Sequence, residues 1–152
     1  MMNENKPGVY KLRIPFFTKL GERSKINRVL YTKEPIVRAI EKMKSDRENI
    51  FVTLGRVESD DLIKQSTIDL ETIVGTMDSY DDEGFAVAIK SESKYNMVKS
   101  FVDYHGYKGT ISMMTRLACQ NTNGEVLTII APDSIPKIIC IDVKPPRKET
   151  EE

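Results

Sequence analysis

His105 is the only histidine among the 152 residues, and it limits the proton chemistry open to this chain. Histidine exchanges its proton nearest neutral pH, so it is the usual general base and the commonest metal ligand. A single copy argues against a histidine-rich metal centre and against a conventional serine-protease site. His105 closes an apolar helical stripe just before Gly106, where a partly buried histidine beside a helix cap is expected. The acids Asp78, Asp81, Asp82 and Glu83 cluster in one short stretch and could attract a divalent cation. They lack the ordered alternation of a calcium loop and read as solvated turn acids. Cys119 and Cys140 have no Cys-x-x-Cys spacing and sit in strand-like apolar runs. Both are expected to be buried small hydrophobes rather than zinc ligands. No Gly-rich phosphate loop and no Gly-x-Ser-x-Gly elbow is present. Neither a metal nor a cofactor is expected.

Composition narrows the partners. The 23 basic and 23 acidic residues balance and are interleaved almost everywhere, so no excess of positive charge faces a phosphate backbone. Nucleic acid is not an expected partner. No apolar run approaches the ~18 residues that span a bilayer, and Met1 to Lys6 are polar with no signal-like hydrophobic core behind them. The expected location is the cytoplasm of whatever cell makes the protein, where both cysteines stay reduced.

These side chains need elements to hold them. The length suits one domain that buries roughly 70% of its unfolded surface. We expect a flexible N-terminus over 1–9, a single globular domain over 10–144 and a disordered charged tail over 145–152. Tyr10 to Phe17 alternates apolar with basic residues, as a half-buried strand does, and Pro15 suits a strand end or an exposed edge open to pairing. Thr18 to Asn27 reads as loop, and Arg28 to Tyr31 as a short extended piece. A helix starts after Thr32, with Pro35 in its first turn and Ile36, Val37, Ile40 and Met43 on one side. Ile50 to Leu54 is a buried strand and Glu58 to Thr67 a loop. Ile68–Asp78 and Phe85–Ile89 form a hairpin whose turn offers Gly84 for a positive φ. A second helix covers Glu92 to Tyr104, capped by Ser91 or Ser93, with Val98, Phe101 and Val102 inward. Strands Thr110–Gln120, Glu125–Ile130 and Ile135–Val143 follow. The expected class is α+β: a mainly antiparallel sheet, able to curl toward a barrel, with two helices.

The order of several segments resembles the phage prohead maturation proteases, whose fold is shared with the herpesvirus capsid assemblins. Ser24-Lys-Ile-Asn-Arg-Val-Leu-Tyr-Thr-Lys-Glu34 opens a helix as the family's Asn-x-Asn-Gly-Arg-x-Tyr-x-x-Glu segment does. Leu54-Gly-Arg-Val-Glu-Ser-Asp60 is similar to Leu-Gly-x-x-x-His-Pro, with Ser59 where the family has histidine. Asp69-Leu-Glu-Thr-Ile-Val-Gly-Thr-Met-Asp-Ser-Tyr80 and the acidic turn after it resemble the next family segment. His105-Gly-Tyr-Lys-Gly-Thr-Ile-Ser-Met-Met-Thr-Arg116 lies where the family carries Gly-x-x-x-Gly-Ile-Ser-Ser-Arg-Gly and its nucleophilic serine. Ile141-Asp-Val-Lys-Pro-Pro146 is similar to the family's closing Asp-Leu-Val-x-x-Pro. The resemblance runs from Tyr10 to Pro146 through the order and spacing of weak motifs, none specific alone.

The resemblance implies a damaged protease. Ser59 cannot take up a proton near neutral pH, and the nucleophile falls on Ser112 or on Thr115, depending on which motif residues are aligned. Either hydroxyl needs an adjacent base, and His105 would have to come within about 3 Å or one bridging water. No functional catalytic residue is therefore expected. The resemblance implies a pseudoenzyme of capsid or virion assembly, whose partner is a capsid or scaffold protein. Two alternatives stand beside it: a phage-encoded protein that inhibits or sequesters a host defence component, and a residual serine or threonine hydrolase. The location implied is the infected cell's cytoplasm, or the virion. A partner would occupy the old groove between residues 54–59 and 111–116, where Arg56 and Arg116 could grip a carboxylate. The competing reading pairs both arginines with acids such as Glu58, Asp60 or Asp61. A homo-oligomer is compatible with all of these.

Overall fold

The computed structural model describes residues 8–21, 24–26, 28–56, 61 and 67–146. Along them run β1 (Tyr10–Pro15), β2 (Ser24–Ile26), β3 (Val29–Tyr31), α1 (Lys33–Ser45), β4 (Phe51–Leu54), β5 (Ile73–Tyr80), β6 (Gly84–Ile89), α2 (Glu92–His105), β7 (Lys108–Met114), β8 (Leu117–Thr122), β9 (Glu125–Ile130) and β10 (Lys137–Lys144). A short 3-10 turn, Leu70–Thr72, leads into β5. The class is α+β, as expected. The main sheet has the order β1-β6-β5-β4-β10-β7 and is antiparallel throughout except at the β4–β10 pair. It curls into a half-barrel whose two edges meet. Phe16 bridges Gly109, and the Phe17 N–H donates to the Gly109 carbonyl at 3.1 Å. The β1 edge expected to lie open is thus engaged at its end.

Alternation along the strands sets what fills the curl. Leu12 and Ile14 of β1 oppose Val87 and Phe85 of β6. Across the sheet Val52 opposes Ile141, and Ile141 opposes Ile111. These residues share the inner face, and all but the half-buried Ile111 are buried. Gly109 belongs to the same face because nothing larger fits. A Cβ there would collide with the Phe85 ring and stand 3.2 Å from Ile141. The helices close the two ends of the curl. α1 adds Ile36, Ala39 and Ile40 to the core, and α2 adds Val98. The Tyr80 hydroxyl, where β5 ends, donates to Glu41 of α1 at 2.6 Å. At the opposite end Tyr10, where β1 begins, donates to Glu92 of α2 at 3.2 Å.

A second, four-stranded sheet has the order β2-β3-β9-β8. Four expectations need correction here. Thr110 to Gln120 is not one strand. β7 ends at Met114 and β8 begins at Leu117 in the other sheet, with Arg116 accepting from the Ala131 N–H at 2.9 Å. Ile111, Met113 and Leu117 all fall on odd positions, with only Thr115 between them, so the parity is the same on both sides and alternation hides the crossing. Ser24–Ile26, expected as loop, pairs with β3. Gly84 takes no positive φ. It serves close approach instead, since a Cβ would sit 2.5 Å from the Ile14 carbonyl oxygen. Cys140 is buried, but Cys119 is exposed, because β8 is an edge strand with one open face.

Candidate functional site

Two register facts build a polar row on the outer face of the main sheet. Asp142 of β10 opposes Thr53 of β4 on one side and Thr110 of β7 on the other. Two residues earlier, Cys140 opposes Ser112. Of this row Thr53, Cys140 and Asp142 are buried, while Thr110 and Ser112 are half-buried. A carboxylate taken out of water needs donors. The Thr53 hydroxyl donates to Asp142 Oδ1 at 2.8 Å, and the Lys144 ammonium stands 3.8 Å from Oδ2. Thr53 also reaches the Cys140 sulfur at 3.6 Å. Burial pushes the Cys140 thiol pKa up, against the opposing pull of the Thr53 hydroxyl and the Arg56 charge. Thr110, the other neighbour of Asp142, has a buried hydroxyl with no hydrogen-bond partner among the described residues.

Arg56 follows β4 and lies over this row. Its guanidinium donates to the Ser112 hydroxyl at 3.3 Å and to the Thr67 carbonyl at 3.4 Å. Beside it opens a cleft of about 470 Å³. Leu54, Met97, Phe101, Tyr107 and Pro145 give the cleft apolar walls, and Arg56, Asp142 and Lys144 give it charge. Aromatic packing firms one wall, with the Phe101 and Tyr107 ring centroids 4.8 Å apart. A pocket of this size and character suits an apolar or aromatic side chain that carries a nearby carboxylate.

Among the described candidates Ser112 and Arg56 meet, while His105, Thr115 and Arg116 make their contacts elsewhere. His105 is the last residue of α2, exposed, its ring against Phe101 at 5.7 Å. The half-buried position expected of it is corrected: the stripe ends at Val102, and His105 continues past the edge of the core. Ser112 meets Arg56, whose guanidinium offers only hydrogen-bond donors. Thr115 directs its hydroxyl to the Arg116 carbonyl at 3.3 Å. Arg116 pairs with Asp133 at 2.7 Å on the exposed surface, and its hydrogen bond, with its charge second, holds the Asp133 carboxyl below the usual range. Of the two arginines proposed to grip one anion, only Arg56 lines the cleft. Ser59 lies outside the described residues, as do Glu58 and Asp60. The turn acids have cationic neighbours: Lys11 at 3.0 Å from Asp78, Arg13 at 2.8 Å from Asp81, and Lys33 at 2.8 Å from Asp82.

Sequence reasoning missed Thr53, Asp142 and Lys144. One signal was available. Asp142 interrupts the run Ile138-Ile-Cys-Ile-Asp-Val143, and an acid flanked by apolar residues on a strand marks a buried, hydrogen-bonded carboxylate. No family model matches the chain, and no curated protein or solved structure is significantly similar to it. The site must be read from its own chemistry.

Proposed function

We propose that this chain is a binding domain without hydrolytic activity, a protease-like barrel that engages a protein partner in phage capsid or virion assembly. The observation that supports this best is the setting of Ser112. Its hydroxyl, the nucleophile by one alignment of the resemblance, lies against a guanidinium, while the only histidine is exposed beyond the core. A serine activated for attack needs a neighbour that accepts its proton, and Arg56 only donates. The cleft beside Arg56 supports the binding half of the reading. Leu54, Phe101 and Tyr107 supply desolvated contact area, and Arg56 and Lys144 supply donors for a carboxylate.

The partner is read as a capsid or scaffold protein from the resemblance, and the place of action as the infected cell or the virion. Co-sedimentation tests it. The wild-type chain is expected to travel with procapsids, and Arg56→Glu with Lys144→Glu to leave it in the supernatant. A wild-type chain that stays in the soluble lysate would sink the assembly reading in favour of the sequestering one.

A further inference from the structure

Sheet edges differ in how they are protected. β1 carries exposed Lys11 and Arg13, ends in Pro15, and meets β7 at Gly109. β2 has three residues. β8 is the opposite edge of the second sheet and pairs only with β9 among the described residues. Its six residues, Leu117-Ala-Cys-Gln-Asn-Thr122, contain no charge and no proline. Natural edges normally carry such guards, because an unguarded edge templates another strand.

The hairpin turn fixes which backbone groups face outward. Asn123 and Gly124 both have positive φ, 53° and 81°, and form the two-residue loop that joins β8 to β9. In such hairpins the flanking residues, Thr122 and Glu125, exchange both hydrogen bonds. Alternation then turns the N–H and C=O groups of Gln120 and Ala118 toward β9. Those of Leu117, Cys119 and Asn121 point away from it, along the open edge.

We propose that the chain forms a symmetric homodimer in which two copies of β8 pair antiparallel about Cys119. This register opposes Cys119 to Cys119 of the second copy and Leu117 to Asn121 of the second copy. All three outward residues then exchange their hydrogen bonds. The contact is isologous, so it closes at two copies, and an uncharged strand meets itself without like-charge repulsion. It also gathers apolar surface. Asn121 already opposes Val126, so Leu117 of one copy joins a row with Asn121 and Val126 of the other. Leu117 is 50% and Val126 65% exposed in the single chain. The two four-stranded sheets become one continuous sheet.

Light scattering after size-exclusion chromatography tests this across a dilution series. The wild-type mass is expected to rise from 17.3 kDa toward twice that value. Cys119→Lys and Cys119→Glu each place like charges face to face and should weaken association at least tenfold. Mixing the two variants should restore the dimer mass, a rescue that misfolded variants would not give. A short bismaleimide should link wild-type copies through Cys119 and fail on Cys119→Ser, since Cys140 is buried. A monomer at every concentration overturns the proposal. So does a dimer indifferent to both charges, a mixture that stays monomeric, or a dimer that the bismaleimide does not link.

Discussion

Thr53 and Thr110 offer a matched pair of perturbations around one buried acid. Both are threonines on strands adjacent to β10, and both oppose Asp142 in register. Only Thr53 donates to it, at 2.8 Å, while the Thr110 hydroxyl is buried without a partner among the described residues. Thr→Val preserves branching and volume, so packing is nearly constant and hydrogen bonding is what changes. At Thr53 the substitution removes a charge-assisted bond from an Asp142 that is 1% exposed, a loss of about 2 kcal/mol. For a chain of this size that lowers the melting temperature by about 4–8 °C. At Thr110 it removes a hydroxyl that gains nothing for being buried, so stability should hold or rise by up to about 1 kcal/mol. Urea unfolding followed by circular dichroism measures both, and the slope with denaturant must stay constant for the comparison to stand. Equal losses at the two positions would refute the assignment of Thr53 as the donor to Asp142.

Closure of the curl gives a second prediction. Gly109→Ala should cost about 1–3 kcal/mol by driving a methyl into the Phe85 ring, and adding Phe85→Leu should recover part of it in a double-mutant cycle. Asp81 supplies a pH dependence. Its pKa is lowered to about 2, first by the Arg13 hydrogen bond and then by the Glu83 N–H. The folded value lies below the unfolded one, so the stabilisation is present above about pH 4 and fades as pH falls toward 2. Carboxyl NMR should show that pKa rising toward the usual range in Arg13→Ala. Tyr80 titrates in the other direction. Burial first, and Glu41 second, push it up to about 12, so ultraviolet titration should find one tyrosine ionising near that value. Stability from this group holds below pH 10 and declines above it.

Much of the scaffold was legible because hydrophobic period and turn chemistry agreed. Ile36, Ile40 and Val98 at helical spacing, and Phe85, Val87 and Ile89 at strand spacing, all enter the core. What stayed hidden depends on contacts distant in sequence. The break at Thr115–Arg116 leaves apolar parity intact, and the bond that marks it comes from Ala131. Whether a cysteine on an apolar strand is covered depends on its place in the sheet, which separates exposed Cys119 from buried Cys140. The cleft draws its walls from the ends of β4 and β10, the middle of α2 and Tyr107, and only the fold brings these together. Arg56 was read as a ligand-gripping residue and does line the cleft. Arg116 was paired with it through motif spacing, yet it lies past the end of β7, in the break before β8, beside Asp133.

The claim that this barrel binds without cutting is tested most directly by intact mass. Wild-type chain, Ser112→Ala and Thr115→Ala would be incubated for days, alone and with procapsid proteins, and every species weighed. The account predicts unchanged masses in all three samples. Fragments that form with the wild-type chain and vanish with either variant would contradict it.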